Sequence, residues 1–175
     1  MRADLETERL ILRDLTPTDA GAAFAWCGDP AVNRYLNYPR YRSIADVREW
    51  LAGRDPDDPD KCYLGFVVKS SGELIGCGGI SYHPERDAWS IGYALRADAW
   101  GNGYAVEAVS AVIDYVSASR PIKTLEGTVA RENLRSRRVL EKLGLVPVGE
   151  DEIRKDDGSE TFPALTYRKV FPENA

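Results

Sequence analysis

The residues with the most chemical content lie in the run Leu95-Arg96-Ala97-Asp98-Ala99-Trp100-Gly101-Asn102-Gly103-Tyr104-Ala105, where a strand pattern gives way to a helical one. The first four amides of a helix have no acceptor within it, and the helix dipole adds partial positive charge at the same end. Gly101 and Gly103 in a short turn there let an anion touch the main chain, and a diphosphate is a natural occupant. Glycine-containing turns without a ligand are also common, so the short pattern leaves both readings open. Downstream, Arg131, Arg135, Arg137, Arg138 and Lys142 crowd together against only Glu132 and Glu141. This local positive region suits either a phosphate-bearing ligand or a solvated helix face.

Several elements must position these groups. Residues 9–13 lean towards β structure. Thr16 as N-cap with Pro17 at the first helical position starts a helix that runs to about Trp26 and ends at Gly28-Asp29-Pro30. Ser43 caps a second helix, in which Ile44, Val47, Trp50 and Leu51 mark a buried stripe. This helix pair reads as a lid. An acidic, proline-broken loop spans residues 53–60, followed by strands over 63–68 and 74–82 joined by a turn at Ser70-Ser71-Gly72. A third strand covers Ala88–Leu95. On it, Trp89, Ile91, Tyr93 and Leu95 share one face, while Ala88, Ser90, Gly92 and Ala94 leave the other almost bare, open to a packed helix or a narrow ligand arm.

After the glycine turn, Val109, Val112, Ile113 and Val116 recur at helical spacing, and Glu107 near the helix start suits the dipole. Another strand runs over 123–129. Asn133 then reads as an N-cap, Leu140 and Leu143 share a face, and Gly144 is a natural residue just past the helix end.

With 175 residues, 43% apolar and 29% charged, the chain reads as one globular domain over residues 1–175. No apolar run approaches a membrane span, and the acidic start does not read as a secretory signal, so a cytoplasmic home is expected. A net charge of −5 argues against a broad nucleic-acid-binding face and fits a cationic partner. Cys27, Cys62 and Cys77 lack the spacing of a disulfide framework or a zinc site, and no metal is expected. His83, the single histidine, reads as a surface or turn residue before Pro84. Gly76-x-Gly78-x-x-Ser81 lacks the third glycine of a dinucleotide fingerprint.

Trp100-Gly-Asn-Gly103-Tyr-Ala105 resembles the Arg/Gln-x-x-Gly-x-Gly/Ala turn of the GNAT acyltransferase superfamily, with Trp100 departing from the expected Arg or Gln. The stretch from Ile91 through Ala108 is similar to the branch containing ribosomal-protein N-terminal acetyltransferases. Glu132-Asn-x-x-Ser136 through Leu143-Gly144-Leu145 resembles that branch's second signature, and Glu6 through Arg13 its first strand. The resemblance implies an α/β fold, with a mixed, mostly antiparallel sheet flanked by helices on both faces, and acetyl-CoA as cosubstrate. It implies cofactor contacts from Ala94, Leu95 and Arg96 beside the pantetheine arm. Trp100, Gly101, Asn102, Gly103, Tyr104 and Ala105 would serve at the diphosphate, Asn133 near the sulfur, and Arg138 near the phosphates.

Many relatives use a glutamate on the strand before the glycine turn as general base and a tyrosine one turn past the second signature as acid. This chain has Ser90 and Leu140 there. Within the branch, the resemblance transfers the acid role to Ser136, with Asn133 beside it. At neutral pH roughly a tenth of α-amines but well under a thousandth of lysine-like amines are unprotonated, so an α-amine asks less of a base. The expected acceptor is a protein or peptide N-terminus, with Trp26, Tyr35, Tyr38, Trp89 and Tyr93 as pocket candidates. A small amine such as an antibiotic or polyamine, or a non-catalytic acyl-CoA sensor, stays open, as does a homodimer.

Overall fold

The computed structural model describes residues 1–172. Eight strands form one sheet: β1 (Leu5–Glu6), β2 (Leu10–Arg13), β3 (Lys61–Val68), β4 (Leu74–His83), β5 (Ala88–Leu95), β6 (Thr124–Ala130), β7 (Val146–Arg154) and β8 (Thr161–Val170), in the order β1-β2-β3-β4-β5-β6-β8-β7. Every neighbouring pair is antiparallel except β5 and β6, which run parallel. That parallel pair requires a crossover, and α4 (Tyr104–Ser119) supplies it.

The helices divide between the two faces. On one, α1 (Ala20–Cys27) and α3 (Ile44–Ala52) bury Trp26, Cys27, Val47 and Leu51 against Leu74, Cys77 and Ala94. On the other, α4 lays Ala108, Val109, Val112 and Val116 over Phe66, Ile80 and Trp89, and α5 (Leu134–Lys142) adds Leu140. Ser43 caps α3 as its sequence implies: Oγ accepts from the Asp46 amide at 3.1 Å, and the Asp46 carboxylate accepts from the Ser43 amide at 3.0 Å.

The first helices are therefore a packed layer of the core and not a lid. Between them lies the four-residue α2 (Pro30–Asn33), capped by Asp29, whose carboxylate accepts from the Ala31 amide at 2.7 Å. The β7–β8 connection clasps it. Lys155, buried at 8% exposure, donates from Nζ to the Asn33 carbonyl at 2.8 Å and to its Oδ1 at 3.2 Å.

Glu107 ties the sheet edge to α4. Its carboxylate accepts from Thr7 Oγ1 at 2.6 Å, the Arg9 amide at 2.8 Å and Arg9 Nε at 2.7 Å. Burial pushes its pKa up, but these partners outweigh that and hold it below the ordinary 4.5. A depressed carboxylate contributes stability in full above its unfolded value and loses it as pH falls through the folded one. Glu107→Ala is expected to cost about 2 kcal/mol of unfolding free energy at pH 7, and the difference should shrink below about pH 4.5 in denaturant titrations.

Candidate active site

Strands β5 and β6 stay paired only at Trp89–Leu125 and Ser90–Glu126, while β4–β5 and β6–β8 pair along their lengths. Beyond Ser90 the two parallel strands part. Alternate residues of Ile91–Leu95 and Gly127–Ala130 then turn backbone N–H and C=O groups into the opening instead of onto a partner. The gap widens into a cleft of about 800 Å³. The glycine turn and α5 line it, together with Tyr35 and Asn37 from the segment after α2 and Asp151 and Glu152 of β7.

The glycine turn is built from the sequence upward. A single 3₁₀ turn over Ala97–Ala99 ends β5, and Trp100 (φ −67°, ψ 154°) followed by Gly101 (φ 81°) forms a type II turn, which demands a left-handed residue at its third position. Gly103 (φ 81°) is the N-cap of α4 and carries no side chain to cap it. Among the described residues the amides of Gly103, Tyr104 and Ala105 make no hydrogen bond, and all three residues line the cleft. Four further hydrogen bonds hold the turn rigid. Trp100 Nε1 donates to the Leu95 carbonyl at 3.0 Å, Asn102 Nδ2 donates to the Ala99 and Trp100 carbonyls at 3.2 Å each, and Arg9 Nη1 donates to the Asn102 carbonyl at 2.9 Å. The indole at position 100 thus pins the turn to the end of β5 and supports Arg135, whose guanidinium lies 3.9 Å from the ring centre.

The basic cluster separates by direction. Arg131 pairs with Glu150 and Arg137 donates to the Tyr167 hydroxyl at 3.1 Å, whereas Arg135, Arg138 and Lys142 line the cleft beside the turn. Neither Arg138 nor Lys142 forms an ion pair among the described residues. Free helix-terminal amides and three cations fit a diphosphate-bearing molecule.

Midway along the cleft, Ser136 Oγ and the Tyr93 hydroxyl lie 2.7 Å apart. Burial pushes the Tyr93 phenol up to about 12, more than the Ser136 contact lowers it, so it stays protonated at neutral pH. Asn133 Oδ1 accepts from the Ser136 amide at 3.2 Å, capping α5, and the residue lines the cleft. Leu140 packs where a Cβ on Gly127 would meet its Cδ2 at 2.8 Å, so glycine on β6 makes room for it.

Not every residue singled out from sequence reaches the cleft. Ala94, Leu95, Trp100, Gly101, Gly103, Tyr104, Ala105, Asn133, Ser136, Arg138, Tyr35 and Tyr93 do. Trp26 and Trp89 are core residues at 1% exposure, on opposite faces of the sheet. Tyr38 turns to Tyr41, with ring centres 6.1 Å apart, and burial with Cys77 and Cys27 nearby pushes its phenol up. Arg96 gives its amide to the Ile75 carbonyl at 2.8 Å and its guanidinium to Asp98 at 2.6 Å, and Asn102 spends its side chain inside the turn. The bare face of β5 receives a side chain: a Cβ on Gly92 would sit 3.3 Å from the Tyr63 hydroxyl.

His83, Ser90 and Glu126 meet in the cleft where the strands part, an arrangement that no local pattern announces. His83 Nε2 lies 2.7 Å from Ser90 Oγ, and its Nδ1 3.5 Å from Glu85. Glu126 is held by Arg168 Nη2 at 2.7 Å and faces Arg86 at 3.7 Å. Among the described residues no His, Cys, Asp and Glu cluster is arranged to hold a metal, and no helix is long and apolar enough to cross a membrane.

Comparison with known proteins agrees with this architecture. The family model described as an acetyltransferase (GNAT) domain matches residues 9–146. The chain is 31% identical over 148 residues to the uncharacterized N-acetyltransferase p20 of Bacillus licheniformis, covering 83% of each chain. Its fold superposes on a GNAT-family acetyltransferase from Bacillus anthracis with a TM-score of 0.83 at 21% identity, covering 96% of this chain and 98% of that one. It also superposes on the microcin C7 self-immunity acetyltransferase MccE, solved with acetyl-CoA and AMP, with a TM-score of 0.79 at 17% identity over 94% of both chains. The family-model match spans residues 9–146, most of the chain, and makes this protein a member of the GNAT family of acetyltransferases.

Proposed function

We propose that this enzyme moves acetyl from acetyl-CoA, the family's acyl donor, to the free α-amine of a protein or peptide by direct attack within a ternary complex. The observation that carries the reading is the cleft itself, whose wall holds both the unpaired amides of the glycine turn and the Tyr93–Ser136 pair. The diphosphate rests on the amides of Gly103, Tyr104 and Ala105 with Arg135, Arg138 and Lys142 around it. The thioester lies beside Ser136, the amine enters past Tyr35, and Asp151 and Glu152 attract it while it is still charged.

Direct transfer is supported by the thiols. Burial pushes Cys27 and Cys77 up to about 12 and Cys62 up to about 11, and none of them lines the cleft, so no thiolate waits to take the acetyl group. Holding amine and thioester in contact supplies much of the acceleration, with backbone donors polarising the carbonyl. Ser136, backed by Tyr93, protonates the departing sulfur. The likeness to the ribosomal-protein branch, carried by Glu132 through Ser136, and the higher neutral fraction of α-amines favour a peptide N-terminus.

Thiol release is measured with acetyl-CoA and a panel of peptides with free N-termini, N-blocked peptides containing lysine, and spermidine. Free N-terminal peptides are expected to react with a kcat/KM about tenfold or more above the rest. Preference for spermidine would move the acceptor to small amines, and tight acetyl-CoA binding without thiol release would make the protein a sensor.

A further inference from the structure

We infer that His83 is the terminal proton acceptor of the reaction, reached through the hydroxyl of Ser90; this rests on the acetyltransferase reading above and deepens it. Ser90 stands on β5 where the strands begin to part, and its Oγ is 2.7 Å from His83 Nε2. Both residues line the cleft. The β4–β5 hairpin brings them together: Ser81 pairs with Ser90 and His83 with Ala88, so His83 reaches diagonally across the ladder. Glu85 lies 3.5 Å from Nδ1, and the relay uses the tautomer in which Nε2 accepts from Ser90.

The competing group is Glu126, directly beside Ser90 in the parallel register. Its carboxylate is committed: Oε1 accepts from Arg168 Nε at 2.8 Å and Oε2 faces Arg86 Nη1 at 3.7 Å. The charged groups around His83 are thus Glu85 and Arg86 on its own turn, with Glu126 of β6 and Arg168 of β8 behind them.

The proton count closes. One proton of the incoming ammonium passes to Ser90 Oγ as the Ser90 proton passes to His83 Nε2. The freed lone pair forms the N–C bond to the acetyl carbonyl carbon while the C–S bond breaks and the electron pair leaves on sulfur. Ser136 gives sulfur a proton, and the nitrogen's second proton replaces it through solvent. His83 returns its proton to solvent after product leaves. A histidine reached through a hydroxyl can serve only while its ring is neutral, so the rate climbs with pH on the acid side.

The test compares the parent protein with His83→Gln, His83→Gly and Ser90→Ala on the panel amine that the parent acetylates best, across about pH 5 to 8, where histidine side chains change charge. His83→Gln and Ser90→Ala should each lower kcat by roughly 100-fold, leave acetyl-CoA affinity within about threefold and abolish the acid-side limb. Added imidazole should restore part of the rate to His83→Gly, which a purely structural loss would not allow. Parent-like rates and pH profiles in His83→Gln, or loss of the limb in Glu126→Gln alone, would overturn the assignment. No thiol release by the parent itself would instead remove the acetyltransferase reading.

Discussion

Gly101→Asp is expected to weaken acetyl-CoA binding by about 100-fold, whereas Gly101→Asn should cost only a few-fold. Position 101 is the third residue of a type II turn at φ 81°, where Asn and Asp are the side-chain-bearing residues best able to follow glycine. A Cβ there meets nothing within 4 Å, so either side chain enters open space at the cleft wall. The two variants share shape and differ in charge. A carboxylate about 5 Å from a phosphate charge, at an effective dielectric near 20, is repelled by about 3 kcal/mol, and each 1.4 kcal/mol is about tenfold in affinity. Raised salt should recover part of the Asp loss and none of the Asn loss. Calorimetric titration checks this, and equal losses in both variants would mean that the turn does not hold the anion.

The second large effect concerns the leaving group. Ser136→Ala and Tyr93→Phe are each expected to lower kcat by about 100-fold with the KM for acetyl-CoA changed by less than about threefold. The figure sits at the low end for acid catalysis because a thiol has a pKa near 8.5 and its anion leaves tolerably unaided. The two hydroxyls lie 2.7 Å apart, and if they donate as one unit the double variant should be hardly slower than the worse single one. Rate losses that multiply, or a rise in KM at constant kcat, would assign the pair to binding instead. In this arrangement Tyr93 on β5 backs Ser136 with a phenol, while the position one turn later on α5 holds Leu140.

What the sequence disclosed depended on how local the cause was. Strand Ala88–Leu95 was readable to its ends because alternation of bulky and small residues follows a period of two, and Ser43 and Gly144 announced a helix start and stop through cap chemistry alone. Strand β7 was invisible for the opposite reason. Almost all its residues are exposed, Pro147 and Gly149 interrupt it, and pairing with β8 holds it where no apolar pattern does. At the site, the glycine turn is legible as a local motif, whereas nothing local announces that Asp98 and Glu73 hold the Arg96 guanidinium. Trp26 and Trp89 show that an aromatic's type does not say whether it faces the core or a cleft. His83, read as a turn residue, belongs to the site through a cross-strand contact that only the hairpin register creates.

The central claim is that main-chain amides at the start of α4 seat the diphosphate while the thioester reaches the Tyr93–Ser136 pair. A crystal structure with acetyl-CoA measures this most directly. It should place diphosphate oxygens within about 3.2 Å of the Gly103, Tyr104 and Ala105 amides and the sulfur beside Ser136 Oγ. A cosubstrate bound elsewhere, or one whose diphosphate leaves those three amides untouched, would contradict it.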